Sequence, residues 1–435
     1  MPDTQVVALA TGTPAVGRRP PMGGRGGGRV VGIDLARGLA VLGMMAAHVF
    51  GEFRSDGSPT FVYQFSSGRS TATFALVAGI SLTFIAGQRP PRWRERARAA
   101  TSVGIAMRAA LIGLIGLTLG VVSPEPVILP AYALLFLLAI PLLGLHRRAL
   151  LAIVGGLVVV APVLVVGSYA TDLPAVNSPD LGQLVHPAGL LITLLVTGFY
   201  PVAMYLAFLC AGLAIGKCDL SSPRVAGWLL GGGAAVCLGA WLASGMLLFH
   251  LGGLQHLQDA APAELGPSAA RDYILWQPDN VATPWYLVGR SPYSATPLFM
   301  LHALGAATAV VGGSLLLVRM RSLARLLTPV AAVGSMVLTI YTAHLLILAW
   351  PPLNDHGDEL NGGTGGFRHP VPLYLCMVAV SLIFAVTWRR YRGQGPLEAV
   401  VAAGSRRARS AAIRHLSPDP RASSSPGVMT SSNPP

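Results

Sequence analysis

Three ionisable residues stand in one apolar run near the start of the chain: Asp34, Arg37 and His48 in GIDLARGLAVLGMMAAHVF. On a helix turning about 100° per residue, the eleven steps from Arg37 to His48 end about 20° past a whole number of turns. Asp34 and Arg37 are spaced i, i+3 and share that face. At about 1.5 Å per residue the guanidinium and the imidazole lie about 16 Å apart along the axis. A charged pair at one depth and an imidazole at another suits a substrate held by an anionic end while a proton moves at its far end. Placing Arg or Asp inside a bilayer costs roughly 2.5–3.5 kcal/mol on insertion scales, so an intramembrane pair marks a functional site. The bland alternative has Arg37 reaching to headgroups, Asp34 neutralising it and His48 resting at the interface.

Other residues can be placed against that face. Arg69, in SGRS, opens the second apolar run at the depth of His48, and Arg108 lies about seven residues into the third, at the depth of Arg37. His302 and His344 fall in the outer halves of later runs, where histidine more often packs than reacts. Trp276 and Trp285 belong to an aromatic and acidic stretch at 250–295 whose rings and carboxylates fit a sugar face, or equally a membrane interface. The histidines are scattered apart from His250 and His256, so no metal site is expected. Cys210, Cys218, Cys237 and Cys376 are set in or beside apolar runs, and no disulfide is expected.

The elements that must position these groups follow from composition. Of 435 residues, 53% are hydrophobic and 11% charged, and the mean hydropathy is +0.59, which excludes a soluble surface. The expected fold is all-α and polytopic, with about ten transmembrane helices at 30–50, 69–88, 101–122, 127–145, 149–169, 197–216, 226–249, 296–318, 328–350 and 371–389. Gly198-Phe199-Tyr200-Pro201 predicts a break, with 188–196 a short interfacial or re-entrant piece. Residues 1–29 are Gly, Pro and Arg rich without an apolar core; they predict a disordered cytoplasmic tail and no cleaved leader. Residues 404–435 predict a second such tail, leaving 30–403 as the membrane domain, with 250–295 a long external loop.

The net charge of +13 sorts by side. With both termini cytoplasmic, 24 of the 31 basic residues lie inside and four outside, as the positive-inside rule requires. The basic excess is therefore a topology signal, directed to the bilayer, and leaves no argument for nucleic acid. Asp34, Arg37, Arg69 and Arg108 are the charges that topology does not explain. Gly155-Gly156 and Gly231-Gly232-Gly233 permit close helix packing within or between chains, so an oligomer is possible.

These residues carry a family resemblance. Arg37, ten residues and His48 are similar to the motif of the acyltransferase-3 family. The same helix with GRSTATFALVAGISL resembles bacterial proteins carrying a catalytic domain like heparan-α-glucosaminide N-acetyltransferase. TGFYPVAMYLAFLCAGLAIGK, GSMVLTIYTAH and RGQGPLEAVV are similar to the YeiB-like family, domain of unknown function 418. The sequence departs from the sugar acetyltransferases in that residues 51–67 contain neither His nor Trp.

The resemblance implies a plasma-membrane acyltransferase. It would move an acyl group, an acetyl group first of all, from cytoplasmic acyl-CoA to an acceptor on the far side, such as a sugar, by O- or N-acylation. No tightly bound cofactor is implied. On this reading Arg37 and Arg108 bind the CoA phosphates, Asp34 orients Arg37, and His48 moves the proton or carries the acyl group. Arg69 meets the oxyanion or the acceptor. His302, His344, Trp276 and Trp285 are further candidates for binding the substrate. Two rivals remain, a secondary transporter or permease and a non-catalytic membrane protein. Against the transporter, the pattern of the first helix has no counterpart in the sixth, whose interior is uncharged.

Overall fold

In the computed structural model of the protein, the described residues are 30–54, 58–87, 94–168, 171–259, 275–276, 283–350 and 370–416. The first apolar run forms α1, Val31–Phe50, with Asp34 in its first turn and His48 in its last. Thr60 caps α2, Phe61–Ser66, by accepting from the Tyr63 amide. Gly68 then takes φ 71°, a left-handed conformation open to glycine, so that α3, Arg69–Ala86, starts at once with Arg69. There follow α4 (Arg94–Val122), α5 (Leu129–Leu142), α6 (Arg147–Ser168), α7 (Pro187–Ile192), α8 (Val202–Gly216), α9 (Pro223–Phe249) and α10 (Gly253–Asp259). The rest are α11 (Pro297–Leu317), α12 (Arg321–Leu326), α13 (Thr328–Gly334), α14 (Val337–Leu348), α15 (Pro370–Tyr391) and α16 (Pro396–Leu416). Proline in the first turn starts several of these, where its missing N–H costs no helical bond.

Among the described residues, seven helices are long and apolar enough to cross a membrane, and two bent pairs raise the number to nine. The first pair is α7, extended by a π turn at Thr193–Thr197, with α8 at 64°. It contains the break expected at Gly198–Pro201. The second is α13 with α14, bent by 83°, where sequence predicts one straight span at 328–350. The expected span at 127–145 is a helix of 14 residues, short of the roughly 20 a simple crossing needs. Ten full spans are thus not reached by length, because two are broken and one is short.

Close backbone approach holds α1 in place. A Cβ on Gly334 would collide with the Asp34 carbonyl, and one on Gly38 with the Val330 carbonyl, so α1 and α13 pack backbone to backbone. Elsewhere α3 packs on α8, α9 on α11, and α4 on α16. The outward faces of α6, α9 and α15 expose leucine, valine and isoleucine, as lipid-facing surfaces do. Gly233 is spent on packing against Gly305 of α11, whereas Gly155, Gly156, Gly231 and Gly232 face open space. The expected tail boundary at 403 falls inside α16, which runs to Leu416 with one face against α4; any tail begins after it. The expected tail at 1–29, residues 260–274 and 277–282 of the expected 250–295 loop, and residues 351–369 lie outside the described residues.

Candidate functional site

At the amino-terminal end of α1, Arg37 is fixed by three neighbours. Its Nη1 donates to Asp34 Oδ1 at 2.9 Å and to the Gly334 carbonyl at 3.1 Å, and its Nη2 donates to Ser81 Oγ at 2.7 Å. The second bond exists because Gly334, lacking a side chain, lets the α13 carbonyl approach. Asp34 is buried and Arg37 is partly exposed, so the pair is desolvated on the aspartate side and open on the arginine side. Beside it is a cavity of about 180 Å³ lined by Arg37, Ser81, Arg108, Tyr132, Tyr341 and Glu398, among others. Arg108 Nε is buried there with no hydrogen-bond partner among the described groups. An orphaned guanidinium nitrogen is costly, and an anionic ligand would satisfy it. Glu398, from α16, accepts from the Thr339 amide at 3.2 Å and the Thr339 hydroxyl at 2.6 Å. It thereby serves the open first turn of α14, which has no side-chain cap of its own.

Tyr341 forms the far wall of that cavity. Its hydroxyl accepts the Ile128 amide at 3.2 Å, and its ring meets His344 edge-on at 5.1 Å. His344 Nε2 is 3.0 Å from His48 Nδ1, with the two rings stacked at 5.3 Å. His344 Nδ1 is 3.4 Å from the Ile340 carbonyl. A carbonyl only accepts, so His344 Nδ1 carries the hydrogen of that bond and Nε2 keeps a lone pair. His48 Nδ1 then donates to it, and His48 Nε2 is left with the free lone pair of a base.

His48 also lines a second cavity, of about 250 Å³, with Glu52, Ser67, Glu125, Tyr200 and Tyr293. The turn after α1 is closed by Thr60, whose amide donates to the Glu52 carbonyl at 2.9 Å and whose hydroxyl donates to the Gly51 carbonyl at 2.9 Å. That closure fixes Glu52 beside His48. Glu125, in the short link from α4 to α5, has its carboxyl pushed up to about 7, chiefly by burial and further by the Glu52 carboxylate.

Five of the sequence-derived candidates are thus joined along one track: Asp34, Arg37, Arg108, His344 and His48. Arg69 is not part of it, which corrects the expectation that it lies with His48, where it was to meet the oxyanion or the acceptor. Its Nε donates to His302 Nε2 at 3.0 Å and its Nη1 to the Gln64 carbonyl. It lines a different cavity, with His302, Cys237 and Trp276. Equal depth on adjacent helices does not bring two side chains together when they leave on different faces. Trp285 stacks on His256 at 5.3 Å and packs against Leu248, Leu257 and Tyr286, away from both histidine-lined cavities. Sequence reasoning missed Tyr341, Glu398 and Glu125 and placed His344 only among weak binding candidates. Signals did exist: Glu52 is i+4 from His48, Tyr341 is i−3 from His344, and Glu125 is an acid between two prolines in a link between apolar runs.

A multi-pass helical membrane protein with a buried histidine pair between two polar cavities is the class that fold and site define. The catalytic-domain model of heparan-alpha-glucosaminide N-acetyltransferase matches residues 29–248, and the chain belongs to that family. A model described as a protein of unknown function, domain of unknown function 418, matches residues 280–406. No curated protein matches the chain.

Proposed function

We propose that the protein is a transmembrane acyltransferase. It takes an acyl group, acetyl first of all, from cytoplasmic acyl-CoA and gives it to a polar acceptor, a sugar or another hydroxyl or amine compound, on the outer side of the plasma membrane. The carrying observation is the connection Arg37, Tyr341, His344, His48, which links an arginine-lined cavity at one end of α1 to a carboxylate-lined cavity at the other. Family membership supports the reaction class. The arginine excess supports both termini in the cytoplasm, which puts Arg37 and Arg108 on the donor side.

In this mechanism Arg37 and Arg108 bind anionic groups of CoA by charge-assisted bonds, with Asp34 and Ser81 holding Arg37 in orientation. His48 Nε2 takes the proton of the acceptor O–H or N–H as the acceptor attacks the thioester carbonyl carbon. The C–S bond breaks, the thiolate of CoA leaves, and the proton passes to it, giving acylated acceptor and CoA thiol. The Tyr341 hydroxyl, which already accepts from Ile128, has its own hydrogen to give to the developing oxyanion. His344 is a positioning residue that sets the His48 tautomer. Glu52 and Glu125 accept hydrogen bonds from the acceptor.

The two broken spans favour a second reading, a transporter with its site at helix breaks. A thermal-shift screen of acyl-CoAs on the purified protein separates the two. Acetyl-CoA or another acyl-CoA raises the unfolding midpoint of the wild type and of His344→Ala, but not of Arg37→Ala. Indifference of the wild type to every acyl-CoA favours the transporter, and an undiminished response in Arg37→Ala removes that residue from the donor site.

A further inference from the structure

The cavity that holds Arg69 is larger than either of the two on the histidine track, about 770 Å³. It opens sideways: Leu39, Phe61, Phe65, Trp241 and Val310 line it and are themselves exposed, on helices whose outer surfaces are apolar. Phe61 and Phe65 stack on one another at 5.8 Å on its rim.

Two cations face into this apolar hollow. Among the described residues, the hydrogen-bond partners of Arg69 are neutral groups, His302 Nε2 and the Gln64 carbonyl. The neutrality of His302 follows from its other bond. Nδ1 is 3.0 Å from the Cys237 carbonyl and so carries the hydrogen, leaving Nε2 as the acceptor for Arg69. Arg290 lies over the Trp241 ring at 5.6 Å. No described lining residue is acidic. Two positive charges in one apolar groove repel, and they cost most where water is scarce, unless an anion sits between them. Ser66, Ser70 and Gln64 add polar groups at the same end, while Leu39 and Val310 lead away from it along α1 and α11.

We propose that this groove binds an anionic, phosphate-headed lipid, with the phosphate between Arg69 and Arg290 and the acyl or prenyl chain leaving past Leu39 and Val310. Guanidinium groups pair with phosphate oxygens through directed, charge-assisted bonds, and an apolar lateral opening admits a chain that a soluble anion does not have. The site is separate from the histidine track and does not require acyl transfer.

The test uses the full chain purified in a neutral detergent, with unfolding midpoints measured against added phosphatidylglycerol, phosphatidylcholine and inorganic phosphate. Phosphatidylglycerol is expected to raise the wild-type midpoint well above phosphatidylcholine, and inorganic phosphate is expected to leave it unmoved. Arg290→Gln should weaken the apparent affinity for phosphatidylglycerol about tenfold or more, the loss of a hydrogen bond to a charged group. Arg290→Lys, which keeps the charge, should retain most of the response and guards against a variant that merely fails to fold. An equal response to phosphatidylglycerol in wild type and Arg290→Gln overturns the site. A rise with inorganic phosphate matching that with phosphatidylglycerol overturns the lipid as its occupant.

Discussion

Two imidazoles 3.0 Å apart share one hydrogen, and the Ile340 carbonyl decides which nitrogen gives it. That single acceptor leaves the free lone pair on the His48 nitrogen that can serve a substrate. The neighbouring carboxylates supply a second, independent check. Glu125 titrates at about 7, above the ordinary carboxylate range, so the folded protein holds a proton that the unfolded chain has already lost. The stability due to neutral Glu125 is full below the ordinary carboxylate value and is lost as pH rises through about 7. The unfolding midpoint should fall between about pH 5 and pH 8, fall over a lower range in Glu52→Gln, and lose this component in Glu125→Gln. An identical fall in all three proteins would remove the pair from the cavity beside His48. Of these residues, Asp34, Arg37 and His48 were legible because helical periodicity aligns them within one run. His344 and Tyr341 were not, because 296 residues separate the two histidines and no local pattern reports a contact at that range.

At the scale of elements, the site depends on a helix crossing that only glycine allows. Gly334 brings the α13 carbonyl to Arg37, and the same position ends α13 next to the 83° bend into α14. Gly334→Ala places a methyl against the Asp34 carbonyl, where neither backbone can yield cheaply. A loss of about 1–3 kcal/mol in stability is expected, as for other overpacked positions. With Arg37 displaced, the response to acetyl-CoA should weaken as well. Wild-type stability and response in this variant would show the crossing to be irrelevant. The positions of the apolar runs were readable from composition, and so was the break at Gly198–Pro201. The α13–α14 bend was not, because GSMVLT contains no proline and reads as continuous apolar helix. The part of α16 from residue 404 onward was read as tail because its arginine-rich outer face outweighs, in composition, the stripe the helix lays on α4.

For the whole molecule, charge and cavities point the same way. On the proposed topology, the arginine-rich side is the one that holds Arg37 and Arg108, where the proposed mechanism puts the anionic donor, and the side with few cations holds Glu52 and Glu125, where it puts the acceptor. Orientation can be read directly in a variant without native cysteines. A cysteine at Ser424 should resist an impermeant maleimide in intact cells and react after permeabilisation, whereas labelling of intact cells would reverse the topology. Acyl transfer itself is tested most directly by release of CoA thiol from acetyl-CoA by the purified protein, followed with and without a panel of hydroxyl and amino sugars. Wild type should release CoA, faster with a competent acceptor, and His48→Ala should fall by about 10²–10⁴-fold, the span of general-base contributions, while still being stabilised by acetyl-CoA. Equal release by His48→Ala and wild type, or none from wild type with any acyl-CoA and acceptor, contradicts the mechanism.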